Sequence, residues 1–186
     1  MRFWQIFPWL LLLLATSVLA QPLYEDAHTV RRADVPLDAP RFEQFRVPVW
    51  VGKPAAARVE AHPRSRLYRT VIAEAAQAGP NFAGHYTVLA WGCGAGCSSW
   101  AIADAQSGRV FHPANFRNTD RYNLSVDLAD ADGGYVEFHA DSRLLRVVGG
   151  INLKPEWRGI SYFVWENNRL RRIRLVAKPY GVTMEP

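Results

Sequence analysis

Three side chains of chemically versatile type sit close together in this sequence: His85, Cys93 and Cys97. The cysteines are the only 2 in the chain and bracket Gly94-Ala95-Gly96. In an oxidising compartment, two cysteines of one small chain pair as a disulfide. Three small residues between them let the backbone turn back far enough for the sulfurs to meet, provided the Cα and Cβ geometry agrees. A loop this short removes little chain entropy, so the bridge is expected to set local shape more than global stability.

Three reactive readings stand beside the disulfide. A redox pair needs a low-pKa thiolate, commonly at a helix N-terminus in C-x-x-C spacing; here the spacing is C-x-x-x-C and strand-like residues follow. A cysteine nucleophile needs an imidazole within hydrogen-bond reach and a third group to orient it. His85 with Asn81 or Asp104 offers those types. A closed zinc site needs paired ligand spacings that two cysteines and a histidine do not supply, so no metal is expected.

The glycines and aromatics around the loop suggest contact rather than catalysis. Gly92, Gly94 and Gly96 permit positive φ, and successive N–H groups there could form an anion nest. No helix N-terminus follows to reinforce one, and a disulfide-closed turn needs glycine in any case. Trp91 and Trp100 flank the loop, with Tyr86 earlier on the same arm; they could stack on a sugar or hold a peptide, although strand tryptophans are commonly core. The candidate binding residues are therefore Asn81, His85, Tyr86, Trp91, Trp100 and Asp104. No catalytic residue is assigned and no cofactor is expected. His28, His62, His112 and His139 share no spacing. Asp127, Asp130 and Asp132 before Gly133 hint at a calcium loop. Aligned on that glycine, however, Leu128 and His139 fall where Asp and Glu are required. An acidic turn is the better reading.

The elements that must position these residues can be read from periodicity. Leu67, Tyr68, Val71, Ile72, Ala75 and Ala78 form an apolar stripe at helical spacing, predicting one helix over residues 65–78. Ser65 is the expected N-cap and Gly79-Pro80 the stop. Residues 42–51 alternate weakly, and Pro48 makes them an edge strand at best, with 56–61 as a possible partner across Gly52-Lys53-Pro54. From Phe82 onward short apolar runs alternate with turn residues, including Ala105–Gly108, Ala140–Arg143 and Glu166–Arg169, where asparagines tolerate positive φ. Such spacing predicts an antiparallel meander. Arg169, Arg171, Arg172 and Arg174 form a basic run on the last strand, which guards an edge and also suits contact with anionic envelope polymers. The fold class expected is α+β: a mostly antiparallel β meander with one packed helix.

The N-terminus bears on compartment. Met1-Arg2 is followed by an apolar run from Ile6 to Leu14 and by small residues at Val18 and Ala20, the pattern of a secretory signal cleaved after Ala20. That run is too short for a confident membrane span, and no later stretch is long enough. Residues 21–41 are expected to form a flexible arm, and 42–180 one β-rich domain. The formal charge of +5 is carried by basic residues interleaved with acids, a pattern of solubility rather than nucleic-acid binding.

The segment N-F-A-G-H-Y, then W-G-C-G-x-G-C, then D-A-x-S-G resembles a group of small exported bacterial proteins of uncharacterised function. The likeness runs from Ser65 through Val110, and loosely over the later hairpins. It implies export and offers no activity or catalytic residue to transfer. The expected function is a non-enzymatic periplasmic or secreted binding module that meets an envelope protein or polymer through the cysteine loop. A Cys/His-dependent enzyme, a thiol redox protein and a structural envelope component are the alternatives.

Overall fold

Short apolar runs separated by glycine and asparagine turns resolve into one antiparallel sheet in the computed structural model, which describes residues 28–129 and 135–180. The expected leader with its cleavage point and the Asp130, Asp132 and Gly133 part of the acidic turn lie outside the described residues. Eight strands follow in chain order: β1 (Tyr86–Gly94), β2 (Cys97–Asp104), β3 (Val110–Phe111), β4 (Asn118–Asp120), β5 (Val136–Phe138), β6 (Leu144–Ile151), β7 (Lys154–Glu166) and β8 (Arg169–Ala177). The main path runs β1-β2-β4-β6-β7-β8, with β3 added to β2 and β5 to β6. Neighbours in the path are joined by antiparallel ladders. Together with the helical segment described next, this is the expected α+β meander.

The helix starts earlier than the stripe suggested, and it is broken. α1 (Pro63–Leu67) and α2 (Arg69–Ala76) meet at Tyr68, whose φ of −111° and ψ of 27° lie outside the helical region. His62, not Ser65, is the N-cap: its side chain accepts from the Arg64 N–H, and Pro63 fills the first turn. Proline is favoured there because its missing N–H is one that a helix start leaves unpaired. Ser65 lies buried within α1, bonded to His112 at 2.7 Å. Leu67, at 73% exposure, drops out of the apolar stripe. Ile72 and Ala76 of α2 pack on Leu89, Ala101 and Ala103 of β1 and β2.

Two expectations about residues 42–61 are corrected. Phe42–Phe45 is a 3₁₀ turn rather than a strand start. Residues 56–61 do not pair back across Gly52; they lie along the β2–β3 turn, with Ala55 N–H donating to Ala105 O and Arg58 N–H to Gly108 O. Proline spacing blocks a ladder in this stretch, so its polar backbone groups find partners one at a time. Of the segment read as an arm, residues 28–41 lie against the sheet. Val30 is fully buried, bridges Leu124, and joins a core with Ile160, Tyr162 and Val164.

The sheet thus carries apolar groups on both faces. One face holds the main core, with Phe82, Val88, Ile102, Phe116, Leu145 and Phe163. The other is covered by α2 over β1–β2 and by residues 30–45 over β6–β7. The sheet curls enough for the start of β1 to meet the β7–β8 turn, where the Tyr86 and Trp165 rings pack edge to face at 5.1 Å.

A candidate ligand cleft at the start of β1

The disulfide forms as expected. Cys93 and Cys97 are bonded with their Cα atoms 5.2 Å apart, and no cysteine is free. They close the β1–β2 hairpin, and Tyr122 props the turn by donating to Ala95 O. Trp91 lies opposite Ser99 and Trp100 opposite Ala90, so alternation along the strands sends the two tryptophans to opposite faces. Trp91 faces α1 and α2, 4.8 Å from the Tyr68 ring and under the Arg64 guanidinium. Trp100 faces the main core, stacked on Phe116, with its N–H donating to Thr119 Oγ1 at 2.8 Å. The aromatic cluster imagined around the loop is therefore split between two faces of the sheet. Both tryptophans serve chiefly as packing groups.

His85 and Cys93 are equally separated. His85 precedes β1 and Cys93 lies near its far end, a span of about 25 Å at strand rise. The arrangement holds no thiol–imidazole pair.

What the N-F-A-G-H-Y segment builds is a turn. Phe82 and Tyr86 exchange both backbone hydrogen bonds, with Ala83 at φ 47° and Gly84 at φ 86° between them. A Cβ on Gly84 would stand 2.7 Å from Pro48 O, so glycine is required there by both space and conformation. Asn81 acts as a backbone surrogate: its amide donates to Val88 O and accepts from Val88 N–H, closing the free edge of β1. Asp104 caps the D-A-x-S-G turn, accepting from Gln106 N–H at 2.9 Å and from the Ser107 hydroxyl at 2.7 Å. The His85 imidazole stands 3.9 Å from Asp104, so the two turns meet at the open end of the β1–β2 hairpin.

A cleft of about 450 Å³ opens beside that junction, lined among others by His85, Tyr86, Arg143, Trp165, Glu166 and Asn168. Residues 47 and 48 form its other wall. The Tyr86 hydroxyl donates to Asn168 Oδ1 at 2.8 Å, tying β1 to the β7–β8 turn. Burial pushes the Tyr86 hydroxyl above its ordinary pKa, and the adjacent Trp165 N–H works against that shift without aligning for a hydrogen bond. Seven buried side-chain polar atoms lack a partner among the described residues; two of them, Trp165 Nε1 and Arg143 Nε, belong to residues that line this cleft, and Trp91 Nε1 is another. Trp165 is only 3% exposed. A buried donor left unpaired costs about 1–3 kcal/mol. Glu166 is committed elsewhere: its hydrogen bond from Arg171 holds the carboxyl below the usual carboxylate range.

Two of the expected contact residues, His85 and Tyr86, therefore line one cleft. Asn81 and Asp104 shape the turns behind it, and Trp91, Trp100 and the cysteines lie elsewhere. Arg143, Trp165, Glu166 and Asn168 were not singled out from the sequence; the only signal was the Asn167-Asn168 pair, which reads as a turn and nothing more. Among the described residues no group of three or more His, Cys, Asp or Glu could hold a metal ion, and no helix is long and apolar enough to cross a membrane. Compared with known proteins, the chain matches no family model, no curated protein and no solved structure.

Proposed function

We propose that this protein is an exported binding module whose contact surface is the cleft between the start of β1 and the β7–β8 turn. The observation that carries the reading is the cleft itself, where the Tyr86–Asn168 hydrogen bond joins the start of β1 to the β7–β8 turn and Arg143 lines the space beside it. Export rests on the leader pattern of residues 1–20 and on the disulfide, which suits an oxidising compartment. The Cys/His enzyme reading lacks support, because its two partners sit at opposite ends of a strand.

Retention on an immobilised bacterial-envelope polymer fraction tests the proposal. The wild-type chain is expected to be retained, Arg143→Gln and Tyr86→Phe to lose at least tenfold in affinity, and Trp91→Leu to behave as wild type once its melting curve shows a folded chain. Loss of retention through Trp91→Leu, with Arg143→Gln and Tyr86→Phe unaffected, would return the contact surface to the cysteine loop and overturn the reading.

A further inference from the structure

Three depressions share residues around the β7–β8 turn and make one groove. The cleft described above meets a second of about 320 Å³ at Asn168. A third, of about 540 Å³, shares Glu166 and Asn167 with the first and Asn115, Arg169 and Leu170 with the second. A connected groove of this kind fits an extended chain better than a compact small molecule, which is normally enclosed over most of its surface.

The groove's chemistry has two repeating parts. Guanidiniums come first: Arg143, Arg169, Arg171 and Arg172 line it. Of these only Arg171 is in ion-pair contact with a carboxylate among the described residues, Glu166, on which the Arg143 charge also acts from farther off. The Arg172 guanidinium lies over the Trp157 ring at 4.9 Å, which positions it without neutralising it. The balance is positive, and carboxylate is the planar anion that the guanidinium fork matches. Side-chain amides come second. Asn168 uses its oxygen for Tyr86 and keeps its N–H₂ group; Asn115 donates to Leu170 O and keeps its oxygen. Asn167 makes no side-chain bond within the described chain, and each depression holds two of these three amides. Groups that both donate and accept complement hydroxyls, which do the same.

We propose that this groove binds an acidic oligosaccharide, a run of uronate units whose carboxylates meet Arg143, Arg169 and Arg172 and whose hydroxyls meet the three asparagines. The inference rests on the cleft being the contact surface and adds the ligand's class. A uronate is the repeating unit that carries carboxylate and hydroxyls together, so it answers both parts of the lining.

Calorimetric titration of the purified protein with tri-galacturonate tests it, beside methyl-esterified tri-galacturonate and a tri-glutamate peptide of equal charge. Tri-galacturonate is expected to bind, the ester and the peptide to bind at least tenfold more weakly, and added salt to weaken the interaction. Arg143→Gln should lose at least tenfold and Arg172→Gln several-fold, each in a variant whose melting curve shows a folded chain. Equal binding of the ester overturns the carboxylate assignment, and equal binding of the peptide overturns the sugar. No binding of tri-galacturonate by a chain still retained on the envelope fraction through Arg143 overturns the ligand class alone. No binding together with no retention overturns the cleft as well.

Discussion

At the scale of single residues, the segment that looks most like a motif is mostly architecture. Asn81 supplies hydrogen bonds that a neighbouring strand would otherwise give, Gly84 makes a turn against Pro48 O, and Asp104 caps the next turn. Those roles were hidden in the sequence because each depends on a partner that only the fold brings near. Tyr86 and Asn168 lie 82 residues apart and share a hydrogen bond, which no spacing rule reports. The disulfide was legible, because three small residues between the only two cysteines let the chain turn back on itself. Gly84→Ala is expected to destabilise the chain by about 2 kcal/mol or more, since a left-handed alanine costs about 1–2 kcal/mol before the contact with Pro48 O is counted. Denaturant titration measures it. A second prediction concerns Arg158, which is wholly buried with no carboxylate partner among the described residues. It donates to the carbonyls of His28, Tyr122, Asn123 and Lys178, and its guanidinium lies 4.2 Å from the Tyr180 ring. Arg158→Met removes the donor from four carbonyls, of which Asn123 O keeps the Val30 N–H, so a loss of at least about 3 kcal/mol in urea unfolding is expected.

Among the elements, the hairpins were readable and the helix was readable only in part. Asn167 and Asn168 adopt φ of 50° and 58°, as their place between two apolar runs implies. The β6–β7 turn escaped notice because Leu153, an unusual residue for φ 57°, shares it with Asn152. The side chain of Asn152 holds that turn to Ala114 and Arg117, so tertiary contact outweighs local preference. The helix stripe predicted a packed helix over residues 65–78 without naming the strands it covers, and it missed the break at Tyr68, because the docking group there is the polar pair Ser65–His112, invisible to an apolar pattern. That pair makes helix docking depend on acidity. Burial, reinforced by the neighbouring His62 and Arg64, lowers the His112 pKa to about 4 from an ordinary value of 6.5. Between those values the unfolded chain holds a proton that the folded chain rejects, so stability falls as pH drops from 6.5 to about 4 and levels off below. After allowance for the solvent screening of a half-buried ring, the loss is of order 1–2 kcal/mol. His112→Asn should flatten that part of the stability–pH curve; an unchanged slope would assign it to other groups.

For the molecule as a whole, fold class followed from local patterns, whereas the site followed from closure. An antiparallel meander is built of neighbours in sequence, so turn residues and strand lengths reveal it. The cleft arises because the sheet curls until its first strand meets its last hairpin, and nothing local encodes that meeting. The disulfide and the cleft consequently lie at opposite ends of β1, and their contributions should separate. A Cys93→Ser, Cys97→Ser chain is expected to fold with a loss of at most about 2 kcal/mol, the chain-entropy value for so short a loop, and to keep its binding.

The claim on which the rest depends is that ligand meets the Trp165 end of the molecule. Nitrogen-15 NMR during addition of the envelope polymer fraction reads this directly, because the Trp165 indole N–H has its own resonance. The expected result is a shift of that resonance together with movement of the Gly84, Tyr86 and Asn168 amides and none at Gly94 to Ser98. Movement of the Gly94 to Ser98 amides around an unshifted Trp165 indole would contradict the account.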